Sequence, residues 1–170
     1  MKKHTPKPYP EPDDAPGATF NEPYVAYHGA QHPGIIFKTS LQKPESQMTS
    51  FQKIDMIRKG ISKNDFERFK DKAGLDYDQL ANALLVARAT LINKKGDEKF
   101  NQSLSERIVS LADIYSYGYE VFEDVERFNH WVFRPNQALG GQRPFDFMDN
   151  QFGREEVKNL IGRIDYGVYS

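Results

Sequence analysis

The sequence predicts an all-α protein with an extended N-terminal arm, and three observations predict it. From Thr49 onward, apolar residues recur at spacings of three and four, the period of a helix with one buried face. Short polar residues that favour helix starts (Ser62, Asp76, Asp124, Asn136) stand just before those stripes. Eight of the ten prolines lie within residues 1–46, so the chain ahead of the stripes is barred from continuous helix. The chain divides accordingly into a Pro-rich arm over 1–46, a first helical domain over 47–102 and a second over 103–170.

Composition narrows the function classes. The chain has 170 residues and no cysteine. Disulfides, thiolate metal sites and a cysteine nucleophile are excluded. Met1-Lys2-Lys3 is followed by no apolar run, and no stretch reaches the roughly 18 apolar residues of a membrane helix. A cytoplasmic protein without a membrane partner is expected. The net charge of −1 hides a gradient. Residues 51–102 carry eleven basic and eight acidic side chains, and residues 103–170 carry seven and eleven. A basic middle and an acidic end fit two different partners, and they also fit ordinary variation of surface charge.

In the arm, Pro6-Lys7-Pro8-Tyr9-Pro10-Glu11-Pro12 favours polyproline conformations, and residues 1–20 are expected to be disordered. Tyr24–Tyr27 and Ile35–Phe37 are candidates for short strands or extended segments, and the arm is a candidate aid to dimerisation. His28 and His32 have a ligand-like spacing, but no acidic or histidine cluster accompanies them, so no metal and no cofactor is expected.

A first helix begins near Thr49, carries Phe51, Ile54 and Ile57 as an apolar stripe and ends at Gly60. Ser62 and Asp65 form a capping-box-like start to the next, which holds Phe66 and Phe69 and closes on Ala73-Gly74. Asp76, with Gln79 three residues on, starts a third helix whose buried face is Leu80, Ala81, Leu84 and Leu85. A fourth runs from Arg88 to Lys94 and stops at Lys95-Gly96-Asp97. Two short helices joined by a tight turn, with Ala81 and Ala87 allowing close approach, form the pattern of a helix-turn-helix whose second helix can enter a major groove. Arg88, Thr90, Asn93, Lys94 and Lys95 then have the reach to bases or phosphates. The same pattern fits a plain helical hairpin with a solvated Lys-Lys end.

Ser103-Leu104-Ser105-Glu106 reads as a capping box opening the longest helix. Leu104, Ile108, Leu111, Ala112, Tyr115, Tyr119 and Phe122 form its wide apolar face, interrupted by Gly118. Asp124 caps a helix through Phe128 and Trp131 that Pro135 stops. The aromatic set at helical spacing is read as core. Asn136 caps a turn, Gly140-Gly141 reverses the chain, and Pro144 starts a further helical segment. Gly153 precedes the last helix, in which Glu155 and Glu156 fall in the first turn. Val157, Leu160, Ile161 and Ile164 line one of its faces. The tail Tyr166-Gly167-Val168-Tyr169-Ser170 is apolar and uncharged. Such an end needs a surface to cover it, on its own domain or on a partner. No Ser/His/Asp set, phosphate loop or paired acids suggests an enzyme.

The run Trp131-Val-Phe-Arg-Pro-Asn136-Gln-Ala-Leu-Gly140-Gly141-Gln-Arg-Pro144, with Gly153, Val157 and Leu160 and then Gly162-Arg163-Ile164-Asp165-Tyr166-Gly167-Val168, resembles the C-terminal toxin-binding domain of Xre-type antitoxins. These belong to RES–Xre toxin–antitoxin pairs, also called ParT–ParS or MbcT–MbcA. The resemblance is less distinct over about 51–128 and does not cover the Pro-rich residues 1–46. It implies a Cro/cI-like helix-turn-helix on Leu75–Lys95, although Asn93-Lys94-Lys95 stands where the family has a more Arg-rich run. It implies a small helical toxin-binding domain whose extreme C-terminus reaches the active-site cleft of a RES-domain toxin that degrades NAD or transfers ADP-ribose. The matching positions are Arg163, Asp165, Tyr166, Gly167, Val168, Tyr169 and Ser170. The expected function is an antitoxin that plugs the toxin and, as a homodimer, represses its own operon by binding operator DNA. The other reading that the residues leave open is a helix-turn-helix regulator whose C-terminal domain only dimerises.

Overall fold

The computed structural model describes residues 32–38 and 43–167. These residues form seven α-helices: α1 (Ser50–Lys59), α2 (Lys63–Ala73), α3 (Tyr77–Ala83), α4 (Arg88–Ile92), α5 (Gln102–Phe122), α6 (Val125–Trp131) and α7 (Gln151–Asp165). Short 3-10 turns lie at Glu45–Gln47, Gln137–Leu139 and Pro144–Phe147. No strand occurs among the described residues, so the all-α class holds. The Tyr24–Tyr27 segment and His28 lie outside the described residues. Ile35–Phe37 is not a strand.

Helix starts follow local chemistry. Thr49 and Gln52 complete a capping box at α1, and Asp76 and Gln79 complete one at α3. The Ser62 hydroxyl accepts from the Asp65 N–H, and Asp124 caps α6 through the Arg127 N–H. Each side-chain oxygen satisfies a backbone donor that has no partner inside its helix. Two expected starts moved. Asn101, not Ser103, caps α5 by accepting from the Leu104 N–H at 2.9 Å, which leaves Ser103 inside the helix. Asn150 caps α7, so Gly153 sits in its first turn instead of ahead of it. A Cβ at Gly153 would lie 1.9 Å from the Phe147 carbonyl oxygen, and only glycine fits there.

The helices gather round α5. Its residues Ile108, Leu111, Ala112, Tyr115 and Tyr119 are buried, in one continuous core with Phe66 and Phe69 of α2 and Phe128 of α6. Tyr115 meets Phe69 and Phe128 edge to face, with ring centroids 5.4 and 5.3 Å away. Such pairs add about 0.5–1.5 kcal/mol each beyond area burial. Gly118 lets the Phe128 ring lie directly on the α5 backbone: a Cβ there would stand 2.1 Å from the ring. The α1 stripe is only partly used. Ile57 is half-buried, but Phe51 is 84% and Ile54 42% exposed.

Residues 34–38 and 43–46, within the range assigned to the arm, are tied to this core. Ile36 and Phe37 are buried, and their N–H groups donate to the two carboxylate oxygens of the buried Glu45 at 2.9 and 2.8 Å. Hydrogen bonds to a charged acceptor offset the cost of burying it. The Ser116 hydroxyl of α5 donates to the Gly34 carbonyl and accepts from the Ser46 N–H. Asp113, one turn before Ser116 on α5, takes Lys53 of α1 and Lys158 of α7, both at 2.6 Å.

Candidate nucleic-acid and partner-binding surfaces

The α3–α4 pair forms the first surface. Leu80, Ala81, Ala83, Leu84 and Leu91 hold it on the core. The turn between the helices carries one departure from expectation. Leu85 is not part of the buried face: it adopts φ +51° and is 60% exposed. A left-handed residue swings its side chain out of the helical stripe that spacing alone assigns it to. Arg107 of α5 secures the turn, its guanidinium donating to the Leu84 carbonyl at 2.8 Å.

A lysine network sets the height of α4. Lys63 of α2 is buried, and its ammonium donates to the Leu91 carbonyl at 2.6 Å and to the Tyr77 hydroxyl at 2.9 Å. The same ammonium sits 4.7 Å from the centre of the Tyr77 ring and pairs with Glu67, which also accepts from the Tyr77 hydroxyl. Burial pushes the Glu67 carboxyl up. The hydrogen bonds from Lys63 and Tyr77, helped by the charges of Lys63 and Lys70, outweigh that and hold it below its ordinary value. One cation thereby fastens the last turn of α4 to α2 and the first residue of α3.

Of the expected contact residues, Arg88 and Thr90 lie in α4, and Asn93, Lys94 and Lys95 follow it. Arg88, Thr90, Asn93 and Lys95 are exposed and Lys94 is half-buried, its ammonium 5.9 Å from the Phe100 ring centre. The helix is shorter than expected, ending at Ile92 instead of Lys94. Arg88 is engaged with Asp78 of α3 at 3.4 Å. Ala87, Ala89 and Ile92 are exposed on this surface too, and sequence reasoning passed over them because it searched for donors. Small apolar groups there suit thymine methyls, while Lys94 and Lys95 suit phosphates.

The second surface is the end of α7. Val157, Leu160 and Ile161 anchor the helix on α5. Arg163 turns back to Glu156 at 3.1 Å, and Asp165 accepts from the Tyr117 hydroxyl at 3.3 Å. Burial, and then the nearby Asp165 carboxylate, push the Tyr117 hydroxyl above its ordinary value. Tyr166 is 84% exposed and Gly167 has φ +69°. The structure thus assembles Arg163, Asp165, Tyr166 and Gly167 at one projecting end, and Val168, Tyr169 and Ser170 lie outside the described residues.

Beside this end lies a groove of about 640 Å³. Its floor is Phe122, Trp131, Leu160 and Ile164. Phe128 of the aromatic set is core, whereas Phe122 and Trp131 are half-buried and line the opening. No helix among the described residues is long and apolar enough to cross a membrane, and no cluster of metal-binding side chains occurs among them.

Residues 52–113 match the family described as the antitoxin Xre-like helix-turn-helix domain. Residues 118–167 match the antitoxin Xre/MbcA/ParS C-terminal toxin-binding domain. The chain is 27% identical over 129 residues to a protein of Sphingobium sp. strain YBL2 named Prs ADP-ribosylating antitoxin, covering 69% of this chain and 80% of that one. It is 33% identical over 76 residues to the antitoxin Xre of Photorhabdus laumondii, covering 44% and 51%. It is 26% identical over 148 residues to the antitoxin Xre of Yersinia enterocolitica, covering 83% and 99%.

Proposed function

We propose that this chain, a member of the Xre/MbcA/ParS antitoxin family, neutralises a RES-type, NAD-consuming toxin by seating its C-terminal tail in that enzyme's active site. The single observation that carries the reading is the projecting end of α7. A helix anchored by Val157, Leu160 and Ile161 ends on Tyr166, which is 84% exposed and covered by little of its own domain. Aromatic side chains with two torsions to fix lose little entropy on burial and are frequent binding hot spots. Blocking a cleft needs no chemistry from the blocker, so the antitoxin acts without being an enzyme.

The second half of the reading is autorepression. A homodimer would present two copies of the α3–α4 unit to operator DNA, with Arg88, Thr90 and Asn93 reaching base edges and Lys94 and Lys95 the phosphates. Both an NAD-consuming toxin and an operator place the work in the cytoplasm. A regulator whose C-terminal domain only dimerises is the competing reading. The match of residues 118–167 to a toxin-binding domain favours the antitoxin.

The test is deletion of residues 166–170, which keeps the Asp165–Tyr117 hydrogen bond. The truncated chain is expected to melt as the full chain does, to bind operator DNA, and to leave cells unprotected from the toxin. Full protection by the truncated chain overturns the plugging mechanism.

A further inference from the structure

The groove beside the tail does not follow from the plugging mechanism, which needs only the end of the chain. Its rings are set in place before any partner arrives. Trp131 stacks on Phe128 with centroids 5.6 Å apart and planes 27° apart, and it leans on Phe122 at 5.3 Å. An apolar side chain entering there meets a formed surface and loses nothing to rearrangement. Charges of both signs line the groove: Asp124 and Glu126 as well as Arg127 and Arg134. Arg127, His130 and Arg134 recur at helical spacing along α6 and the residues after it, all three exposed. No carboxylate among the described residues lies within ion-pair distance of Arg127 or Arg134. Arg127 instead lies 5.8 Å from the Phe122 ring centre.

We infer that the groove is a second anchor site for the toxin, taking an apolar side chain flanked by carboxylates from the toxin surface outside its catalytic cleft. The inference rests on the reading of residues 118–167 as toxin-binding, and three features support this occupant. Every residue lining the groove falls within that matched stretch. Ile164 forms part of its floor and Tyr166, two residues on, begins the tail, so a protein that takes the tail also covers the groove. The Arg127 and Arg134 guanidiniums, which have no ion pair among the described residues, offer partners to carboxylates that flank the entering side chain.

The experiment uses the full chain and purified cognate toxin inactivated by substitution, with affinity read by titration calorimetry. Ala138 lines the groove and is exposed, and it makes no side-chain bond, so Ala138→Trp fills the opening without touching the tail. Arg134→Glu reverses the unpaired charge. Both variants are expected to melt like the parent and keep its sedimentation behaviour. Each should bind the toxin at least about tenfold more weakly, and the loss from Arg134→Glu should shrink as salt rises. Parent affinity in both variants, alongside lost binding on deletion of 166–170, overturns the anchor and leaves the plug standing. A change in sedimentation with unchanged toxin affinity assigns the groove to a second copy of this chain and also overturns it. Failure of the unmodified chain to bind the toxin overturns both readings together.

Discussion

Gly118→Ala sets two tendencies against each other at one atom. In the interior of α5, alanine is favoured over glycine by about 1 kcal/mol. The new Cβ, however, would lie 2.1, 2.3 and 2.5 Å from three atoms of the Phe128 ring. Carbon atoms rest about 3.5–4.0 Å apart, so the ring must retreat by more than about 1 Å. Phe128 has no room for that: it is fully buried and meets Tyr115, Tyr119, Phe122 and Trp131 at 5.3–5.6 Å. Overpacking costs about 1–3 kcal/mol, and each disturbed ring pair a further 0.5–1.5. The net expectation is a loss of about 2–3 kcal/mol in urea unfolding followed by circular dichroism. Toxin affinity should fall with it, since α6 carries Trp131. In a Phe128→Leu background the clashing ring atoms are gone, and the same alanine should be neutral or stabilising. A stabilising Gly118→Ala in the otherwise unchanged chain, or an equal effect in both backgrounds, would refute the reasoning.

Replacing Lys94 and Lys95 together by alanine is expected to weaken operator binding in gel shifts and flatten its salt dependence, while toxin neutralisation is unchanged. Leu85→Gly should raise stability by about 0.5–1 kcal/mol, because relief of the left-handed backbone exceeds the extra chain entropy of glycine; a lower melting temperature would contradict the strain assigned to that turn. Glu67 has its carboxyl held below the ordinary value of 4.5. Its contribution to stability is therefore present above that pH and lost as pH falls through the lowered value. Melting curves should show this acid-side loss in the parent and less of it in Glu67→Gln.

What the sequence made legible was mostly short-range. Ser62, Asp76 and Asp124 cap helices as expected, because a side chain reaching a backbone N–H three residues on needs nothing from elsewhere. Ser103 misled because it satisfies the same template two residues inside the true start at Asn101. Leu85 was misplaced, and the burial of Ile36–Phe37 was not foreseen, for a different reason. The turn conformation that exposes Leu85 does not alter apolar spacing, and the burial of Ile36 and Phe37 depends on Glu45 and Ser116, far along the chain. Gly153 answers to a passing carbonyl that only the fold brings there. Of the two surfaces, α4 was readable as a row of donors, and its apolar members were not. The groove beside Trp131 was hidden because an aromatic at helical spacing looks the same whether it is core or the wall of an opening.

The long helix α5 crosses the border between the two matched domains. Its 21 residues span about 31 Å at 1.5 Å each, beginning in the stretch that ends at 113 and finishing in the one that starts at 118. There is no linker at that border to bend or to cut. Arg107, near one end, holds the turn before α4, and Phe122, at the other, lines the groove beside α7. The helix is therefore a strut that fixes the distance from the α3–α4 turn to the groove beside α7. On the proposed function, a toxin carried at one end would ride at a set offset from the DNA under the other, and whether neighbouring complexes on an operator collide or fit side by side becomes a matter of how far apart their binding sites are spaced.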